Sequence, residues 1–142
     1  LSCNRVKDYT FSYDRMLQFE GNTASFILYA FVRIQSIKRK IGIDIDALMK
    51  TPKVKLSHST AISLALHLSR FGEALKSMDT DLLPNRLTDY LFVLAEKFHA
   101  FFRDCRVEGD QAQESRLVLS EITGRILAKG LNILGIETVD RM

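Results

Sequence analysis

The side chains able to do chemistry are few and scattered. His58, His67 and His99 lie 9 and 32 positions apart. No histidine or cysteine falls three or four residues from another, so the spacing of a zinc site is missing. Cys3 and Cys105 are far apart and too few for a disulfide scaffold, which points to a reducing compartment. No serine or cysteine has a recognisable partner base, no glycine-rich phosphate loop is present, and Asp44 with Asp46 lacks any further ligand pattern. Catalysis, a metal or a bound cofactor is therefore not expected of these 142 residues. What the spacing does offer is flat rings beside positive charge. Tyr29 and Arg33 stand one helical turn apart, as do Phe102 and Arg106, so each pair puts a ring and a guanidinium on one helix face. Such groups hold the unstacked bases of single-stranded RNA, while Lys and Arg hold its phosphates. Taken alone, either pair also reads as a core aromatic flanked by a surface arginine.

Both pairs need helices to carry them, and the pattern supplies these. From Leu83 to Arg106, the residues Leu87, Tyr90, Leu91, Leu94, Phe98, Phe101, Phe102 and Cys105 recur at intervals of three and four, which is one broad apolar helix face. Pro84 suits a first turn, and Asp81 or Asn85 is the expected cap. An earlier helix is predicted from about Ala24 to Lys40, capped by Asn22 or Thr23 and closed by Lys38, Arg39 and Lys40, three cations that suit the negative end of the helix dipole and read as a solvated terminus. A short helix after Ser12 with Tyr13, Met16 and Leu17 on its apolar side is expected to end at Gly21. Another short one, IDALMK, is expected inside the loop that follows Ile41. Ser57 or Ser59 is expected to cap a helix that is apolar nearly all round, including Ile62, Leu66 and Leu75, so that it should be well buried, with Gly72 as a kink or break. The last helix, Ser115 to Leu134, is expected to bury Leu119, Ile122, Ile126, Leu127, Leu131, Ile133 and Leu134, and Gly135 stands where a left-handed terminating residue is wanted. No strand alternation or internal repeat appears, so the class is all-α, a bundle of about five helices.

The composition sets outer bounds. At 46% hydrophobic and 26% charged, the chain has the make-up of a soluble globular protein, and 142 residues suffice for one domain with a real core. No run approaches the ~18 apolar residues of a spanning helix, so no membrane is expected. A net charge of +3 permits an anionic partner without demanding one, because 20 basic residues nearly match 17 acidic ones. The opening LSCNRVKDY has neither an apolar leader nor an initiator Met and reads as a piece of a longer chain.

Several runs carry a resemblance: NRVKDYTFSYDRML, GNTASFILYAFVRIQSI, LPNRLTDYLFVLAEKFHAFFRDCRV, SRLVLSEITGRILAKGLNILGI and the closing ETVDRM. Together, and in this order over nearly the whole chain, they resemble the C-terminal, all-helical anticodon-binding (DALR-type) domain of arginyl-tRNA synthetases. The most specific parts are Tyr29-Ala30 followed by Arg33, Leu83-Pro84 leading to Tyr90-Leu91, and Leu134-Gly135-Ile136 ending in Arg141-Met142. The resemblance implies the helical bundle of a class I synthetase that binds the anticodon region of tRNA(Arg). It implies contacts at Tyr29, Arg33, Phe102, Arg106 and Met142, and an upstream catalytic domain of the same chain that attaches arginine using ATP with magnesium. The parent would be a cytoplasmic, monomeric enzyme. One domain is expected over 1–142, with 1–22 as lead-in and short helix and 23–142 as the main bundle. The His-Ile-Gly-His and Lys-Met-Ser-Lys type motifs of the family's catalytic domain are absent here. The family usually has His at the places of Phe31 and Asn85, often Tyr at Phe102, and in some members an aromatic ring at Arg106, where a guanidinium can stack in its place. Two other readings remain open at this level: a helical protein-interaction module, or the similar domain of another class I synthetase or of a glycyl-tRNA synthetase β subunit.

Overall fold

In the computed structural model, which describes residues 3–16, 21–109 and 111–142, the helices form where local chemistry starts and stops them. Seven helical segments occur among the described residues: α1 (Tyr13–Met16), α2 (Ala24–Ile41), α3 (Ile45–Lys50), α4 (Ser59–Ser69), α5 (Phe71–Asp81), α6 (Asn85–Asp104) and α7 (Gln113–Ile133). Five of them run eleven residues or longer, in keeping with an all-α bundle of about five helices. Leu17, expected on the apolar side of the first helix, lies outside the described residues.

Thr23 caps α2 as expected, its hydroxyl accepting from the Phe26 N–H at 3.3 Å. Asp44 caps α3 in the same way. The start of α4 differs from expectation. His58 is the cap rather than Ser57 or Ser59, its Nδ1 accepting from the Thr60 N–H at 3.3 Å, because an unprotonated imidazole nitrogen serves that role as well as a hydroxyl. The α6 cap also differs. Pro84 occupies it with no side-chain bond, while Asp81 pairs with Arg86 at 3.1 Å. Leu82, at φ 52°, is the one non-glycine residue in the left-handed region among those described, and it turns the chain out of α5. Gly135, at φ 75°, ends α7 as expected, and the Ile136 N–H donates to the Leu131 carbonyl at 2.9 Å in a Schellman arrangement.

α6 lies at the centre and packs against α2, α4, α5 and α7. Its predicted stripe is buried: Leu87, Leu91, Leu94, Phe98 and Phe101 have no exposed surface, and Tyr90 and Cys105 are nearly as enclosed. They meet Ile27, Ala30 and Ile34 of α2, Leu64 of α4, and Leu117, Leu127 and Leu131 of α7 in one continuous core. A reciprocal pair fastens α4 to α6. The Tyr90 hydroxyl donates to the His67 carbonyl at 3.0 Å, while His67 Nε2 lies 3.1 Å from the Tyr90 carbonyl with the two rings stacked at 4.4 Å. Burial pushes the Tyr90 phenol up to about 12 and the His67 imidazole down.

Two burial expectations fail for identifiable reasons. The apolar belt of the fourth helix is not buried all round: Ala61, Leu64 and Leu68 face the core, but Ile62 and Leu66 are exposed, and the helix breaks at Arg70 rather than at Gly72. In α7, Ile133 is exposed and Ile122, Ile126 and Leu134 are half-buried, while Ser120, Glu121, Thr123, Gly124 and Gly130 take buried places. Close approach explains the small residues. A Cβ built on Gly130 would fall 2.5 Å from Leu91 Cδ2, and one on Gly124 would fall 3.2 Å from Ile34 Cγ2.

Candidate nucleic-acid interface

The cationic end of α2 is not simply a solvated terminus. Lys38 reaches the buried carboxylate of Glu121 at 2.7 Å, Lys40 pairs with Glu108 at 2.6 Å, and the Arg39 guanidinium donates to the Asp140 carbonyl at 3.2 Å. Arg125 also binds Glu121 at 2.7 Å. Burial pushes the Glu121 carboxyl up, but the hydrogen bonds from Lys38 and Arg125 outweigh it and hold the group below the usual glutamate range. The Arg39 contact matters for placement: it ties the segment after Gly135 back onto α2.

That return builds a groove between α2, α6 and the tail. Arg33, half-buried on α2, projects across to α6 and sets its guanidinium carbon 4.2 Å from the centre of the Phe102 ring, with the Tyr29 ring 5.7 Å away on its own helix. Phe102 falls at the edge of the α6 stripe, so it is only half-buried and one side of it is free to meet Arg33. Met142 lines a hollow of about 390 Å³ together with Ser25, Phe26, Tyr29, Arg33 and His99. A second hollow, against Phe26, Arg33, Glu96, His99, Ala100, Phe102 and Arg103, adjoins it. A third, of about 420 Å³, continues past Phe102 to Ser36, Ile37, Lys40, Arg103, Arg106 and Glu108. Arg33 is common to all three.

All five residues singled out in the sequence therefore belong to one groove. Tyr29, Arg33 and Phe102 are in ring-to-cation contact, Met142 shares a hollow with the first two, and Arg106 shares one with Arg33 and Phe102. The sequence reading missed Phe26, His99, Lys40 and Glu108. Spacing could have found two of them, since Phe26 precedes Tyr29 by three positions and His99 precedes Phe102 by three, the interval that shares a helix face. By spacing alone, His99 reads as a helix-surface or helix-contact residue. Its ring sits instead in an aromatic nest, 5.0 Å from Phe26 and 5.7 Å from Tyr29, where burial first and the Arg33 charge second push its pKa down.

The arrangement can hold an unstacked base against a ring and a guanidinium, with Lys40, Arg103 and Arg106 along one rim for phosphates. Two of these cations have carboxylate partners, Lys40 with Glu108 and Arg103 with Asp104 at 2.8 Å, both at the surface where such pairs are weak and open to exchange. Among the described residues no three His, Cys, Asp or Glu side chains come together as a metal would need, and no helix is long and apolar enough to cross a membrane.

Known proteins share both sequence and fold with this chain. Residues 27–142 match the family model of the DALR anticodon binding domain. The chain is 61% identical over 142 residues to an arginine--tRNA ligase of Protochlamydia amoebophila (strain UWE25), covering 100% of this chain and 24% of that protein. It is 49% identical to the arginine--tRNA ligase of Chlamydia caviae, again over the whole of this chain and 25% of the relative. Among solved structures, arginyl-tRNA synthetase from Plasmodium falciparum superposes with a TM-score of 0.89 at 33% identity, over 99% of this chain and 25% of that one. The Thermus thermophilus arginyl-tRNA synthetase gives 0.74 at 31% identity, over 93% and 23%. The chain thus spans about a quarter of the length of the curated relatives it matches.

Proposed function

Because this chain belongs to the DALR anticodon-binding domain family, we propose that it is the part of an arginyl-tRNA synthetase that holds the anticodon loop of tRNA(Arg). The observation that carries this is the Arg33 guanidinium lying 4.2 Å over the Phe102 ring where three adjoining hollows meet. In this reading Tyr29 and Phe102 offer stacking faces, Arg33 stacks and donates between them, Arg106 holds phosphate or stacks, and Met142 closes the far hollow. Residues 23–142 form the binding bundle and 1–22 lead into it. The chemistry belongs to an upstream catalytic domain of the same polypeptide, which attaches arginine to tRNA(Arg) using ATP with magnesium in a cytoplasmic, monomeric enzyme. The present residues supply grip and recognition only.

Binding energy measured on single variants tests the assignment. Phe102→Ala is expected to weaken tRNA(Arg) binding by about 1 to 3 kcal/mol, the usual worth of one base stacked on a ring. Arg33→Ala and Arg106→Ala should weaken it too, and a residue that meets only phosphate should also flatten the salt dependence. Removing Arg141 and Met142 separates function from folding, since both side chains are exposed and neither belongs to the core. Unchanged melting with a clear loss of tRNA affinity is expected. Unchanged affinity in the tail deletion would remove Met142 from the site, and unchanged affinity in Phe102→Ala and Arg33→Ala together would refute the groove as the RNA site.

A further inference from the structure

One buried polar atom in the groove has no partner. The Nε2 of His99 is shielded from solvent and makes no hydrogen bond, a state it shares among the described residues with Oδ1 of Asn22 and Oδ1 of Asn85. Neither asparagine lines any of the three hollows. An orphaned buried nitrogen costs stability, and a chain can keep one where another partner satisfies it during function. The ring is held in place by Phe26, which meets it edge-on, and by Tyr29 and Phe98 at 5.7 and 6.1 Å. Its position is as informative as its isolation. His99 lines both the hollow that holds Met142 and the neighbouring one that runs to Phe102 and Arg103, with Arg33 common to the two. Burial and the nearby guanidinium keep the imidazole neutral, so it has one donor and one acceptor nitrogen rather than two donors.

We propose that His99 reads a base: its Nε2 hydrogen-bonds the edge of an unstacked nucleobase that enters the groove beside Arg33. This rests on the assignment of the groove to the anticodon loop. Nε2 has no open surface in the free chain, so a base reaches it only when a side chain of the hollow turns aside. Met142, which lines one of the two hollows, is 68% exposed and unbranched and moves at little cost. The surrounding rings then act as stacking faces. Stacking accepts any base, whereas a hydrogen bond at the base edge separates one donor and acceptor pattern from another, so His99 supplies selectivity that the Phe102 ring cannot.

The test uses the full-length synthetase carrying His99→Phe or His99→Asn, with tRNA(Arg) transcripts bearing each alternative base at each anticodon position. His99→Phe keeps a flat ring and removes the orphaned nitrogen. The expected result is a melting temperature equal to or above that of the parent, together with discrimination at one anticodon position reduced about tenfold, as for the loss of one hydrogen bond at a buried base edge. His99→Asn, which retains a donor and an acceptor, should keep part of that discrimination. Arg33→Ala is measured alongside. If Arg33→Ala weakens cognate binding while His99→Phe leaves the ranking of all transcripts as it was, His99 is a packing residue and the proposal falls while the RNA site stands. If Arg33→Ala and Phe102→Ala, measured in the same enzyme, both leave affinity unchanged as well, the groove is not the RNA site at all. A His99→Phe enzyme that melts lower and loses affinity equally for every transcript marks the imidazole as structural and overturns the proposal as well.

Discussion

Gly130→Ala should destabilise the bundle, against the usual preference of helices for alanine. Inside a helix, alanine is favoured over glycine by about 0.8 to 1.0 kcal/mol. At this position the added Cβ would stand 2.5, 2.8 and 3.1 Å from Cδ2, Cδ1 and Cγ of Leu91. Non-bonded carbons settle at ~3.5 to 4.0 Å, so the whole isobutyl group is in the way. Leu91 is fully buried and has nowhere to go, leaving only a poor rotamer or a separation of α6 from α7. Overpacking of this kind costs about 1 to 3 kcal/mol, and three overlapping atoms place this case toward the upper end. After the propensity gain, a net loss of about 1 to 2 kcal/mol remains. Urea unfolding followed by circular dichroism should show a lower midpoint with an unchanged slope, and melting should fall by roughly 3 to 8 °C. Two other glycines calibrate the result. A Cβ on Gly72 meets nothing within 4 Å, so Gly72→Ala should stabilise, while the single 3.2 Å contact from Gly124 to Ile34 should leave Gly124→Ala close to neutral. A Gly130→Ala chain as stable as its parent would refute the claimed intimacy of α6 and α7, and with it the frame that sets Phe102 opposite Arg33.

Three further outcomes are expected. Leu94→Ala, at a position with no exposed surface, should cost about 2 to 5 kcal/mol in the same unfolding assay, and a loss under about half a kcal/mol would mean that the buried face of α6 is misassigned. The Glu121 carboxyl is held below its ordinary value of 4.5 in the folded chain, so the unfolded chain binds that proton more readily. The stability it contributes is complete above the ordinary glutamate range and is lost as pH falls through and below it, so Glu121→Gln should flatten the acid limb of a stability–pH curve, and parallel limbs would count against the Lys38–Glu121–Arg125 cluster. Finally, the 142 residues alone should show no arginine-dependent pyrophosphate exchange above a buffer blank, because they contain neither of the family's nucleotide-site motifs.

Elements governed by neighbours a few positions away were legible in the residues themselves. The stripe of α6, the Thr23 cap, the short helix IDALMK and the left-handed stop at Gly135 all follow from contacts within one or two turns, which spacing alone reveals. The site was half legible for the same reason. Each ring and guanidinium pair was visible along its own helix, but nothing in the order of residues says that Arg33 lies over Phe102 rather than over Tyr29 alone. That depends on how α2 and α6 are rotated against each other, which is set by the packing of Ile27, Ile34, Leu94 and Phe98 in the shared core. The same limit hid Lys38 with Glu121 and the exposed side of α4, because a helix that is apolar all round does not announce which side its neighbours will cover. It also hid His99, whose ring packs among Phe26, Tyr29 and Phe98 and whose Nε2 is left buried without a partner only in the assembled bundle. Periodicity is a property of one helix and can be read along the chain; an unsatisfied atom belongs to several helices together and exists only once they have packed.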